Sequence, residues 1–393
     1  MTKKTPRTFG EIACIKASRP PGSIPELTID HMMRNHQRGI ATQFVPDSNV
    51  VIDMIRAASE DETEEAKKAR RRLAPFTAFM QSCSMQGFRY YISPYLGLNE
   101  MRRSEVGTGP SALNAFSDRY NLRWEDTHPD IQPNLDTTGI LERGYRSLSL
   151  ESQAILSQDY AALLLILVVA REFSHLSAHA KFRTYLRLYH RIVDVVSVRA
   201  ITIARFVLAP EPDPDTEIHQ TWTNISLNFT GRKDLRLRMP RTAHQMDKAA
   251  LNGALDLLIL NSTLVTDYHG LDGQRMDTWV LTADLKLAAL TDAVHHTDLG
   301  TGETGLFVST PDYRDEGPYW LQTHYDMEAL NGKFRPHLKP SLKRQVARSL
   351  QVIALAEQGV LGTSAPPGAA LRFSGIQEIE KDWPGHILCA AFN

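Results

Sequence analysis

Four acidic residues stand where side chains can gather for chemistry. They are Asp47 in FVPDSNVVIDM, Glu100 in ISPYLGLNEMRR, Asp256 in ALDLLILNSTL and Asp284 in WVLTADLKLAAL. Asp47 and Asp284 each close an apolar, strand-like run, Glu100 follows another by a short loop, and Asp256 interrupts an apolar helical run. In an open α/β sheet the loops at the carboxyl ends of parallel strands bring side chains together, so all four acids could meet at one edge. Carboxylates held that close repel and raise one another's pKa, so the cluster needs protons or a cation. Hard oxygen ligands suit Mg²⁺ or Mn²⁺, which keep part of their water shell and take one or two carboxylates together with phosphate oxygens. Such ions activate a water and stabilise the leaving oxygen of a phosphodiester, which is metal-dependent nuclease chemistry.

Each acid also has a plainer role. Asp47 suits a helix N-cap, where its side chain would bond backbone N–H groups. Asp256 would fit a buried ion pair. Rival ligands are Asp267, Asp272 and Asp277 in TDYHGLDGQRMD, with Asp247 a rival for the third position. Other chemistries lack their residues. His175 and His179 have zinc-binding spacing on an expected helix, but there is no HExxH and no third ligand, so they read as a polar face. GTGETG at 300 to 305 precedes a strand instead of opening a helix, so it reads as a turn. Cys14, Cys83 and Cys389 are odd in number and far apart, which argues against a disulfide framework and fits a reducing compartment.

The elements that must hold these acids follow from patterning. At 393 residues, 42% hydrophobic and 23% charged, the chain reads as an ordinary globular protein. The formal net charge of -1 gives no whole-molecule attraction to polyanions. Residues 1–40 are expected to be an irregular arm, without the apolar segment of a secretory signal. FVPD, RYYISPY, TWVLTAD and GLFVST are expected strands, and VVIDMIRAA, LGLNEMRR, 60–74 and 244–265 expected helices. AALLLILVVA at 161–170 is about half of a membrane span and reads as buried. Phe182, Leu186, Tyr189, Val193, Val196, Ala200, Ile203 and Val207 form one apolar stripe of helical period, predicting a helical hairpin or small bundle over 145–208. ISLNF and DLRLRM alternate like a hairpin.

The four acidic motifs, in this order, resemble those of the PIN domain, the fold of many metal-dependent ribonucleases including VapC-type toxins. The resemblance spans roughly 40–100 and 244–310. It implies an α/β fold, a three-layer α/β/α domain with a parallel central sheet, built from 41–100 and 241–315. The segment 101–240 would be a mainly helical insertion and 316–393 a C-terminal extension. Asp47, Glu100, Asp256 and Asp284 would then be the catalytic acids, holding Mg²⁺ or Mn²⁺. Ser48 and Thr282 match the hydroxyl positions beside the first and last acids, and Asn49 the small polar residue of the first loop.

The implied activity is endonucleolytic cleavage of single-stranded RNA. Alternatives are a structure-selective DNA nuclease and a non-catalytic binding or scaffold protein. Arg102 and Arg103, with Arg232 and Lys233 in GRKDLRLRMPR, are candidates to contact substrate phosphates, as are the basic stretches 171–205 and 333–349. The expected setting is cytoplasmic, without a membrane, with RNA as partner and room for an inhibitor protein or a homo-oligomer.

Overall fold

A computed structural model describes residues 8–20, 25–101, 109–126, 140–193, 196–298, 306–331 and 341–358. The chain divides into two compact units, 1–143 with 255–307, and 144–254 with 308–393. This differs from the expected division. The first 40 residues belong with the acid-bearing unit, and the segment after 316 joins the helical one.

The first unit is an α/β structure around a six-stranded, mostly parallel sheet in the order β1-β2-β7-β4-β5-β6. Its strands are β1 (Thr8–Phe9), β2 (Ile12–Ile15), β4 (Ile40–Pro46), β5 (Tyr90–Ile92), β6 (Trp124–Asp126) and β7 (Arg275–Thr282). β7, β4, β5 and β6 run parallel, and β2 pairs antiparallel to β7. A smaller sheet joins β3 (Ser18–Arg19), β8 (His295–Asp298) and β9 (Leu306–Ser309). Thr42 to Pro46 and Met276 to Thr282 are buried at every position, so the central strands are covered on both faces. One face carries Ile12, Cys14, Phe44, Tyr90, Ile92, Trp279 and Leu281. It packs on Val50, Val51 and Met54 of α2 (Ser48–Ala58), following α1 (Ile29–Gln37), and on Leu73, Phe76 and Met80 of α3 (Glu64–Met85).

The expected arm is a correction, because 8–37 supplies β1 to β3 and α1. Ile12 to Ile15 are all buried, and Lys16 explains how the polar chain beside them is accommodated. Its Nζ pairs with Asp267 and, at 2.8 Å, with Asp277. Asp277 also accepts from Asn35 Nδ2 and Trp279 Nε1 and meets His31 Nε2 at 2.9 Å. These cationic and N–H partners hold the Asp277 carboxyl well below its ordinary range despite burial.

The second unit is helical. Leu150–Glu172, Ala178–Ile192, Val198–Val207, Glu217–Thr230, Pro318–Asn331 and Leu342–Gln358 lie in it, and the unit boundary falls within the helix Ala243–His269. The Leu150–Glu172 and Ala243–His269 helices are long and apolar enough to cross a membrane. In the first, every residue from Tyr160 to Val169 is buried within the protein.

Helix fills most of the described part of 145–208, but the 182–207 stripe is split between two helices. Val193 leaves helical geometry, and Ser197 caps the second helix by accepting from Ala200 N–H. The expected hairpin is also corrected. ISLNF lies inside the Glu217–Thr230 helix, where Ile218, Trp222, Ile225 and Phe229 form a buried stripe of helical period. DLRLRM holds a turn from Asp234 to Leu237 instead of a strand.

Candidate active site

β4 leads through α2 and α3 to β5 on one side, and β6 lies further out on that side, whereas β7 returns on the other side of β4. The strand order therefore reverses between β4 and β7, and ligands of open α/β sheets bind outside the carboxyl ends at such a point. Asp47 follows β4 and Asp284 follows β7, so these two acids flank it.

Asp47 is buried and works twice in local structure. Its N–H donates to Leu281 O at 2.9 Å, extending the β4–β7 ladder by one bond. Its Oδ1 accepts from Val50 N–H at 3.1 Å, which is the N-cap of α2. Its Oδ2 accepts from the Thr282 hydroxyl. Thr282 Oγ1 in turn accepts from Asp284 N–H at 2.8 Å, so one hydroxyl ties the two corners together. Asp284 caps the next helix, Leu285–Ala293, by accepting from Lys286 N–H at 2.8 Å. Both acids thus sit at helix N-termini, where the helix dipole favours negative charge.

Glu100 ends α4 (Tyr95–Glu100), and its carboxyl accepts from the Ser48 hydroxyl. Its approach to Asp47 depends on Gly97, a residue that motif reading passed over. A Cβ at Gly97 would lie 2.7 Å from Val51 Cγ2, 2.8 Å from Pro46 O and 3.0 Å from the Asp47 carbonyl carbon. Only glycine lets α4 lie this close to the β4–α2 corner. The sequence signal was a glycine inside a short helical run, LGLNE.

Electrostatics link the three acids. Burial pushes the Asp47 carboxyl up to about 6; the Thr282 hydroxyl and the N–H groups of Val50 and Asn49 oppose this, and the charge of Asp284 adds to it. Burial pushes Glu100 up to about 7, against the Ser48 hydrogen bond and with the charge of Asp47. Ser48, expected beside the first acid, bonds the second, Glu100; Thr282, expected beside the last, donates to Asp47 and accepts from the Asp284 N–H; and Asn49 acts on Asp47 through its backbone N–H. Two neighbouring carboxyls held above their ordinary range gain from a cation or from protons.

Asp256 is half-buried on the Ala243–His269 helix and has an interaction of its own. Among the described residues, no three His, Cys, Asp or Glu side chains form a group that could hold a metal ion. That holds for Asp47, Glu100 and Asp284 together as much as for any set that includes Asp256. The donors present, Asp47 and Glu100 with Asp284 nearby, fit a hard ion that keeps most of its waters and takes one or two carboxylates.

The rival acids are engaged elsewhere. Asp267 and Asp277 pair with Lys16, and Asp272 is exposed in a turn with φ of 49°. Asp247 accepts from the Tyr160 hydroxyl in the second unit. Of the candidate phosphate contacts, Arg102 and Arg103 lie outside the described residues, as do the whole of GTGETG and 333–340. Arg232 is half-buried and donates from Nε to Thr230 at 2.9 Å and from Nη1 to Leu235 O at 3.2 Å, so it braces its own loop. Lys233 beside it is exposed. His179 pairs with Asp326 at 2.8 Å and His175 lies in the turn before that helix, so the two do not share one helix face.

No protein-family model matches the chain, no curated protein matches it, and no solved structure matches its fold.

Proposed function

We propose that the chain is a metal-dependent endoribonuclease of PIN-like, three-layer α/β/α architecture that cleaves single-stranded RNA. The observation that carries this reading is that Asp47 and Asp284 flank the strand-order reversal with Glu100 beside Asp47, the Asp47 and Glu100 carboxyls being raised by burial and by a neighbouring acid's charge. Bound Mg²⁺ or Mn²⁺ would supply charge neutralisation, water activation and stabilisation of the leaving oxygen. Asp47 and Glu100 would hold it, and Asp284 would add charge or hold its waters.

The protein's own groups do the positioning. Thr282 fixes the Asp47 carboxylate plane against β7, and Ser48 orients Glu100. Asp256, assigned to the third acidic motif, belongs to this reading as a member to be tested. A cytoplasmic setting, without membrane attachment, goes with it.

A second reading, a non-catalytic binding protein, draws on the capping duties of Asp47, which already engage both of its oxygens. Cleavage of labelled single-stranded RNA and single-stranded DNA by wild type and Asp47→Asn, across a Mg²⁺ and Mn²⁺ titration, separates these. Metal-dependent RNA cleavage lost in the variant supports the nuclease. Cleavage of DNA alone makes it a DNA nuclease, and no cleavage under any metal leaves the binding protein.

A further inference from the structure

The helix Ala178–Ile192 reads AHAKFRTYLRLYHRI, with four Lys/Arg, two His and no acid. Phe182, Tyr185, Leu186, Leu188, Tyr189 and Ile192 are buried, which fixes the helix's rotation about its axis. Arg183, Arg187 and Arg191 are thereby left exposed in a single row at i, i+4 and i+8. With His190, Leu186 and residues of the Pro318–Asn331 helix they line an open cavity of about 540 Å³. Both helices belong to the second unit.

The charge balance of this groove is one-sided. Asp326 is the one acid among its lining residues, and it meets His179 at 2.8 Å and Arg183 Nε at 3.9 Å. Arg187 and Arg191 line the groove without an ion-pair partner among the described residues. Like charges four apart on a helix repel and destabilise it. The helix dipole offsets this at Arg191, in the last turn, but not at Arg183 or Arg187. A row of guanidinium groups kept at a cost in stability has the chemistry of an anion site.

The shape of the row narrows the anion. At 1.5 Å rise per residue, successive arginines repeat about every 6 Å and the row spans about 12 Å. That is too long for one phosphate and comparable to a few successive phosphates of an extended strand. Guanidinium planes also stack on unpaired bases, and Leu186 supplies an apolar floor.

We infer that this groove binds the phosphate backbone of single-stranded RNA through Arg183, Arg187 and Arg191. The choice of RNA rests on the proposed nuclease reading; the preference for a linear polyanion rests on the groove itself.

The test is fluorescence anisotropy of a labelled single-stranded RNA with the full chain, in EDTA so that cleavage plays no part, over a salt series. The triple variant Arg183→Gln, Arg187→Gln, Arg191→Gln is compared with a charge-matched control, Arg34→Gln, Lys68→Gln, Arg71→Gln, whose exposed side chains belong to the first unit and do not line the groove. Circular dichroism melts check that both fold. The groove variant is expected to bind about tenfold or more weakly, with the slope of log affinity against log salt reduced by about two, from roughly 0.7 per phosphate contact. The control should bind like wild type. Equal losses in the two variants, an unchanged groove variant, or binding to phosphatidylserine vesicles in place of RNA would each overturn the assignment. Because no metal is present, failure here leaves the cleavage test standing, and failure of cleavage leaves this one.

Discussion

At the scale of single residues, Asp47 carries two roles that one substitution separates. Asn caps helices as well as Asp does, so Asp47→Asn keeps the α2 cap and removes the charge. RNA cleavage is expected to fall by orders of magnitude, while the melting temperature in EDTA at pH 8 stays equal or rises, because repulsion from Glu100 and Asp284 is relieved. Undiminished cleavage would remove Asp47 from the site. The raised carboxyls also set a pH dependence. A carboxyl with a higher pKa in the folded protein than in the unfolded chain binds protons more readily when folded. The stability that Asp47 and Glu100 contribute is therefore present in full at acid pH, near their unfolded values, and is lost as pH rises through about 6 to 7. Melts of the metal-free protein between pH 5 and 8 should show that loss, smaller in Glu100→Gln, and Mg²⁺ at pH 8 should reverse part of it. A melting temperature that these groups leave flat would contradict the coupling. Asp47 and Asp284 were legible in the sequence because a charge that closes an apolar strand must be met by a cap, a cation or a proton. Asp256 was less so, since an acid inside a long helix can satisfy itself locally, and the sequence does not say where its side chain finds a partner.

Among elements, the strands at 40–46, 90–92, 275–282 and 306–309 and the helices beside them follow the apolar runs and their period. Non-local events were not legible. No local pattern shows that IACI crosses to pair with β7, or that Lys16 finds two carboxylates about 250 residues away. Because Lys16 offsets the buried Asp277 and the half-buried Asp267, Lys16→Met should destabilise the first unit by about 3–5 kcal/mol, the cost of leaving a buried partner unpaired. Urea unfolding monitored by tryptophan fluorescence and circular dichroism would show it, and a shift within error would mean that His31 and Asn35 suffice. The contact of α4 with the β4–α2 corner gives a second prediction. Gly97→Ala should cost about 1–3 kcal/mol through overpacking and should also lower cleavage by moving Glu100. Loss of stability with full activity would uncouple α4 from the site.

For the whole molecule, the two units are interleaved along the chain. β7 sits between β2 and β4, yet 111 residues (144 to 254) that belong to the other unit precede its part of the chain. A chain ending at residue 254 has β2 and β4 but no strand to join them. It should lack the cooperative melt of the full protein and the β signal of the first unit by circular dichroism. A cooperative β-rich melt from that truncation would show that the sheet closes without β7.

The late arrival of the central strand also sets a schedule for the newborn chain. With ribosomes adding roughly 5–20 residues per second, the 228 residues between β4 and β7 (47 to 274) take about 11–46 s to synthesise. Through that interval the flank of β4 that later receives β7 has its hydrogen-bonding groups unclaimed along an apolar strand, the kind of edge that recruits other chains. Crowded polysomes would therefore be the place where this protein is most exposed to misassembly, and slower initiation or lower temperature during expression the conditions that raise its soluble yield.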